Sequence, residues 1–225
     1  VWFDALINYY TATRNKGKEK YWPVDVHVIG KGINWFHSVI WPSILMSAKL
    51  KLPKTILVHG YLTVEGQKIG KSLGNAVNPN ELIKKYNSDT LRYFLIREIP
   101  LGKDGDFSEE KLIERHNNEL ANDLGNLVSR TLTLATKFKN KLEGKQEIKL
   151  NFKKIEKLMQ EYKLNEALNE IWFFIKSVNK YVNDKKPWEL KNEKLSNVLY
   201  NLLESLRIIS ILISPFIPET AEKIS

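Results

Sequence analysis

A short β-branched run, Asp25-Val-His-Val-Ile-Gly30, ends in glycine, and apolar residues at helical spacing follow it: Ile33, Phe36, Ile40, Ile44 and Leu45. A second run of the same kind spans Thr55 to Val58. Strand, glycine turn, helix and strand in that order predict a βαβ unit, because the apolar period changes from two to 3.6 and back again. The ligand site of such a unit lies at the carboxyl ends of its strands.

Composition narrows the class. With 225 residues, 43% hydrophobic and 27% charged, the chain is long enough for one large or two small packed domains. Nothing approaches the run of about 18 apolar residues that a membrane span needs, and no charged-then-apolar leader is present. There is no cysteine, hence no disulfide and no thiolate ligand, which suits a reducing cytoplasm. The four histidines, at 27, 37, 59 and 116, make no zinc spacing, so no metal site is expected. A net charge of +9 favours an acidic partner such as nucleic acid. The lysines are spread along the chain, however, and solvated faces account for them equally well. The opening Val1-Trp-Phe-Asp reads as the middle of a core element, so the chain is expected to be a piece of a longer protein.

Past the second strand, Val64-Glu-Gly-Gln-Lys-Ile-Gly-Lys-Ser-Leu-Gly-Asn75 sets Lys68 and Lys71 among Gly66, Gly70 and Gly74. Glycines permit left-handed turns and close approach of the backbone to a ligand, and two ammonium groups suit a polyphosphate. The residues also fit a solvated, lysine-bearing turn. Asn75 to Asn80 then leads into Pro79, a helix start whose free N–H groups also suit an anion.

The segment Leu57-Val-His-Gly-Tyr-Leu-Thr-Val64 with Lys68-Ile-Gly-Lys-Ser72 resembles the second signature loop of class I aminoacyl-tRNA synthetases, usually written KMSKS. Val1-Trp-Phe-Asp-Ala-Leu-Ile-Asn-Tyr9, Val28-Ile-Gly-Lys31, Phe36-His-Ser38 and Trp41-Pro42 occur in the same order in methionyl-tRNA synthetases. That resemblance implies catalytic roles for Lys68 and Lys71, and an ATP site of His59, Gly60, Lys68, Lys71 and Ser72. It also implies a methionine pocket of Trp2, Ala5, Leu6, Tyr9, Ile33, His37 and Trp41. A polarizable thioether is well held by aromatic faces. His37, on an otherwise apolar helix face, also fits a satisfied core histidine. Gly32 stands where the family usually has an aspartate, which removes a carboxylate expected near the ribose hydroxyls or the acceptor end.

After the loop, Pro79 to Tyr86 and Ser88 to Glu98 read as amphipathic helices, the second with its N-cap in the Ser88-Asp89 region, and Leu101 to Phe107 as a turn into a short strand. From Ser108 to about Asn140 runs one helical pattern, with a break expected near Asn117-Asn118. On a 100° wheel Leu120, Leu124, Leu127, Val128, Leu132 and Leu134 share one half; Asn122, Asn126 and Arg130 form a stripe on the other. Amides and a guanidinium on an exposed ridge can read single-stranded bases, although a merely solvated face has the same pattern. Lys137 to Lys157 reads as a loop. A helix over Leu164 to Val182 is broken before Pro187, and Leu195 to Ile213 is apolar enough for a central bundle helix, with Pro215 and Pro218 interrupting its end. Trp188 then either stacks on a base or plugs the core. The resemblance assigns Asn122, Asn126, Arg130 and Trp188 to anticodon binding.

The expected fold is therefore α/β followed by all-α. Residues 1–57 are the C-terminal part of a Rossmann-like catalytic domain, 58–115 a connective fold with the signature loop, and 116–225 an α-helical anticodon-binding bundle. The implied reaction is activation of methionine by ATP, taken as its Mg2+ complex, and transfer to tRNA(Met) in the cytoplasm, with no membrane partner. The His-x-Gly-His signature does not occur in these residues and the family's zinc knuckle lies outside them, so this piece alone is expected to be inactive. Two other readings stay open: a class I synthetase for another apolar amino acid, and a tRNA-binding module without activity.

Overall fold

The two expected strands pair in parallel. In the structure, a computed structural model that describes residues 1–69 and 74–225, β1 (Val26–Gly30) runs beside β2 (Thr55–His59), from Val26 opposite Thr55 to Gly30 opposite His59. Along β1 His27 and Ile29 are buried and Val28 is exposed, the period of two that a strand imposes. The crossover begins as a 3-10 turn at Lys31–Ile33, widens to a π-helical segment at Phe36–Ile40 and ends as α2 (Trp41–Ser47). Ahead of it α1 (Trp2–Ala12) packs Leu6 against Trp41 and Leu45, with Tyr9, Phe36 and Ile44 around them.

These elements belong to one compact unit, Val1–Leu62 with Leu101–Gly105; the other comprises Thr63–Pro100 and Asp106–Ser225. The stretch expected as a connective fold is thus divided between the two.

Next, β3 (Leu62–Val64) and β4 (Gln67–Lys68) form an antiparallel hairpin, with β5 (Gly105–Phe107) on the other side of β3; all of these residues but Leu62 and Gly105 belong to the second unit. Glu65 and Gly66 turn the chain with φ of 50° and 74°, the left-handed pair that a two-residue hairpin needs. Asp106 braces this turn by accepting from Thr63 Oγ1 at 2.6 Å and Gly66 N–H at 2.7 Å, and those bonds hold its carboxyl below the usual range. Lys71 and Ser72 lie outside the described residues.

Two helices follow, α3 (Pro79–Tyr86) and α4 (Ser88–Glu98). The cap of α4 is Asn87, not the Ser88-Asp89 pair expected from the sequence. At φ 68° its N–H closes α3 on Ile83 O while its side chain accepts from Thr90 N–H. Asp89 is buried, accepting instead from Thr220 N–H at 2.6 Å in the first turn of α10 (Pro218–Ile224).

The long helix does not break at Asn117-Asn118. Capped by Ser108, α5 (Glu109–Arg115) widens into a π-helical run, His116–Gly125, and continues as α6 (Asn126–Ala135). A Cβ on Gly125 would sit 3.2 Å from the carbonyl oxygen of Leu120, five residues earlier. A π-helix advances the wheel by less than 100° per residue, so the 100° assignment drifts. Leu132, expected on the apolar half, is exposed, and Thr131 beside it is fully buried.

Part of the expected loop is also helical. In α7 (Phe152–Gln160) Ile155 and Leu158 are buried, an apolar spacing hidden in the sequence by the lysines around it. The chain from 143 to 147 lies extended along α9 (Asn192–Ile213), with Glu143, Lys145 and Glu147 N–H donating to the side chains of Ser196, Asn197 and Asn201. Between these, α8 (Leu164–Lys185) supplies Ile171, Trp172, Ile175 and Val178 to a core shared with Leu127 of α6 and Leu202 and Ile209 of α9. In length and mean hydropathy, 1.2, α9 meets the requirement for a membrane span that no stretch was expected to meet. It does so as a core helix: 61% of that window is buried in the bundle.

Candidate functional site

The aromatic residues singled out in the first unit converge. Trp2, Ala5, Leu6 and Tyr9 share one face of α1, being three, four and seven residues apart. Trp2 stacks on Phe36 with ring centres 4.2 Å apart and the planes at 14°, and its edge meets His37 at 6.4 Å. Tyr9 Oη lies 2.9 Å from His37 Nε2, and His37 Nδ1 lies 2.9 Å from the Ile33 carbonyl oxygen. A carbonyl only accepts, so Nδ1 carries the proton, Nε2 is the acceptor and the tyrosine hydroxyl donates. His37 is 1% exposed and Trp2 38% exposed. The wall is therefore pinned at one end and open at the other. Ala5 is exposed and Ile33 contributes its carbonyl.

Two members of this cluster were not among the expected pocket residues. Phe36 backs Trp2, and His27 accepts from the buried Trp41 indole N–H at 3.2 Å while its ring lies 6.0 Å from that of His37. Burial, reinforced by His37, lowers the His27 pKa, so a neutral ring fills the floor of the cluster. The inward phase of β1 was the signal that could have found it.

At the carboxyl ends of the strands, His59 Nδ1 donates to the Gly60 carbonyl at 2.8 Å. Gly60 has a packing reason of its own: a Cβ there would lie 2.0 Å from the Lys103 carbonyl oxygen. Lys68 sits on β4 opposite Thr63, and the Asn75 amide donates to its carbonyl at 3.1 Å, tying together the two ends of the lysine loop.

In the second unit the stripe and the tryptophan meet. Asn122 and Asn126 are exposed and bonded to each other at 3.4 Å. Arg130 donates to Asn183 Oδ1 at 3.1 Å and lies over the Trp188 ring. Lys186 takes a left-handed conformation before the 3-10 turn Pro187–Glu189, Pro187 is buried, and Trp188 is left 55% exposed. The proline, not the indole, is the core plug. Asn183 had no sequence signal beyond its place before the proline break.

A cluster of charges underlies the ridge. Glu119, buried on the π-helical run, accepts from Tyr93, from Arg97 at 3.1 Å and from Arg115 at 2.7 Å. Burial alone would raise its carboxyl, but Arg97, Tyr93 and Arg115 outweigh it and hold the pKa low. Among the described residues no group of three or more His, Cys, Asp or Glu could hold a metal.

The family described as tRNA synthetases class I (M) matches residues 1–132, more than half of the chain. The chain belongs to the class I (M) tRNA synthetases. A second family, the anticodon-binding domain of tRNA ligase, matches residues 145–225 of this class I (M) synthetase. Trp188 falls within that match, whereas Asn122, Asn126 and Arg130 fall within the first. Methionine–tRNA ligase of Thermotoga maritima is 47% identical over 100% of this chain and 39% of its own length; that of Caldanaerobacter subterraneus is 48% identical over 99% and 38%. Mycobacterium tuberculosis methionyl-tRNA synthetase in complex with methionyl-adenylate superposes with a TM-score of 0.90 at 35% identity, covering 99% of this chain and 48% of that one. The class I (M) synthetase chain thus spans about two fifths of the length of these curated relatives. The α/β part followed by an all-α part is the expected fold.

Proposed function

We propose that the full-length protein activates methionine with ATP and transfers it to tRNA(Met). The observation that carries this is the assembled Trp2, Tyr9 and His37 wall in a chain that is similar along its whole length to a synthetase bound to methionyl-adenylate. In the first step the methionine carboxylate attacks the α-phosphate of Mg2+-bound ATP and pyrophosphate leaves. In the second, a hydroxyl at the tRNA acceptor end attacks the adenylate carbonyl and AMP leaves. The Tyr9 hydroxyl, fixed by His37, is the polar tip of an otherwise apolar pocket and suits a thioether. Lys68 and Lys71 offset charge on the phosphates, which is electrostatic stabilisation without proton transfer. Asn122, Asn126, Arg130 and Trp188 read the CAU anticodon. Functionally we divide the chain into 1–57, 58–115 and 116–225, and we place the protein in the cytoplasm, which the lack of cysteine suits.

The test is ATP–pyrophosphate exchange by the full-length protein against a panel of amino acids. Methionine should be the substrate, and Lys71→Ala should slow exchange by about 10²–10³-fold with little change in methionine affinity. Exchange driven by another apolar amino acid, or by none, selects one of the other two readings.

A further inference from the structure

The carboxyl ends of β1 and β2 bring Gly30-Lys31-Gly32 beside His59-Gly60-Tyr61. Lys31 Nζ bonds both oxygens of Asp104, at 2.6 and 2.7 Å, and stands 4.6 Å from the centre of the Tyr61 ring. Asp104 also accepts the Tyr61 backbone N–H at 2.8 Å. The ring is thus held by an ammonium at its face and its backbone by a carboxylate. A Cβ at Gly32 would lie 2.4 Å from Tyr61 Oη and 3.3 Å from Cζ. Gly32 is not in the left-handed region, so the backbone does not call for glycine there; the hydroxyl of Tyr61 does.

Charge narrows what this hydroxyl can meet. Lys31 is neutralised by Asp104, whose carboxyl it holds below the usual range. The strand ends therefore present a neutral donor and acceptor, suited to a sugar hydroxyl more than to a phosphate. Tyr61 is 39% exposed, and ligands of parallel α/β units lie beyond the carboxyl ends of the strands.

We propose that Tyr61 Oη, standing in the space that Gly32 leaves open, is a hydrogen-bond partner of the nucleotide's ribose. This rests on the reading of the protein as an ATP-dependent synthetase. It also gives Gly32 a purpose: a side chain starting there would meet the phenol.

The experiment is methionine-dependent ATP–pyrophosphate exchange by the full-length protein, wild type, Tyr61→Phe and Gly32→Ala, with ATP, 2′-deoxyATP and 3′-deoxyATP. Wild-type exchange is the control for the underlying reading, and its absence overturns that reading and the proposal together. With exchange present, Tyr61→Phe should raise the KM for ATP about 3- to 10-fold, the worth of one neutral hydrogen bond, and leave the KM for methionine unchanged. One deoxy analogue should show no such penalty, because its missing hydroxyl is the partner. Gly32→Ala, which evicts the phenol by a single methyl, should match Tyr61→Phe and add nothing to it in the double variant. No change in the KM for ATP, or an equal rise with all three nucleotides, overturns the proposal.

Discussion

The Arg130 guanidinium carbon lies 5.8 Å from the centre of the Trp188 ring, although one residue is on α6 and the other in the 3-10 turn that follows α8. Asn183 takes one of the arginine's N–H groups, so the guanidinium is held from two directions beside a tryptophan that is more than half exposed. A flat, partly desolvated cation next to an open aromatic face is a surface on which an unpaired base can stack and be read at its edge.

Trp188→Ala in the full-length protein should lower aminoacylation by about 10- to 100-fold, since stacking is worth about 1–3 kcal/mol per base, while methionine-dependent exchange stays at wild-type level. Arg130→Lys keeps the charge and loses the planar fork; it should weaken discrimination against an altered anticodon. Aminoacylation of wild-type and anticodon-altered tRNA by both variants decides the matter, and equal losses on the two tRNAs would leave only nonspecific attraction.

For the pocket, Trp2→Ala should raise the KM for methionine about 10-fold, a value set by losing one stacked aromatic wall at about 0.5–1.5 kcal/mol beyond its buried area. Trp2 is partly exposed and rests on Phe36, so folding should survive. Steady-state exchange kinetics give both constants, and a parallel rise in the KM for ATP would assign Trp2 to support of the fold instead.

His27 gives the stability a pH dependence whose sign is fixed. Its folded pKa lies below the ordinary 6.5 because burial, with His37 nearby, disfavours the charged ring. The unfolded chain therefore binds the proton more readily. The contribution is complete above pH 6.5 and is lost as the pH falls through the folded value. Protonation also removes the acceptor of the Trp41 indole bond. Denaturant melts from pH 8 to 5 should show a decline that His27→Gln flattens; a variant that declines as steeply as wild type would place the titrating group elsewhere.

Glu119→Gln removes the negative centre from Arg97, Arg115 and Tyr93 inside the second unit. Breaking a buried pair in this way costs about 3–5 kcal/mol, so the unfolding midpoint should drop markedly. A shift of under about 1 kcal/mol would mean that water reaches the site.

The sequence made the βαβ unit readable because alternation and glycine placement are local signals, and His27 against Val28 shows the alternation carried through. The ridge was readable for a different reason: Asn122, Asn126 and Arg130 are each four apart, and the second half of that stripe lies in ordinary α-helix where the spacing keeps one face. Leu132 was misplaced because it stands at the rim of the apolar half of the wheel, where the π-helical turns of His116 to Gly125, which nothing in the sequence announces, leave the phase hard to read. The helix at Phe152–Gln160 was hidden by its lysines. Partners such as Asn183 for Arg130, or Phe36 for Trp2, depend on tertiary packing that spacing does not encode.

The extended chain along α9 is held at alternate residues, Lys145 and Glu147, by Asn197 and Asn201, which are four apart on the helix. Two extended residues advance roughly 6.6 Å and four helical residues roughly 6 Å, so the two elements mesh like racks of nearly equal pitch. Gly144, whose Cβ would meet the side chains of Asn197 and Tyr200 at 2.8 Å, is the tooth with no clearance. Changes in length within this segment are therefore quantised: two residues added or removed can restore the mesh one step along, whereas a single residue turns carbonyls toward the side chains that now receive N–H groups.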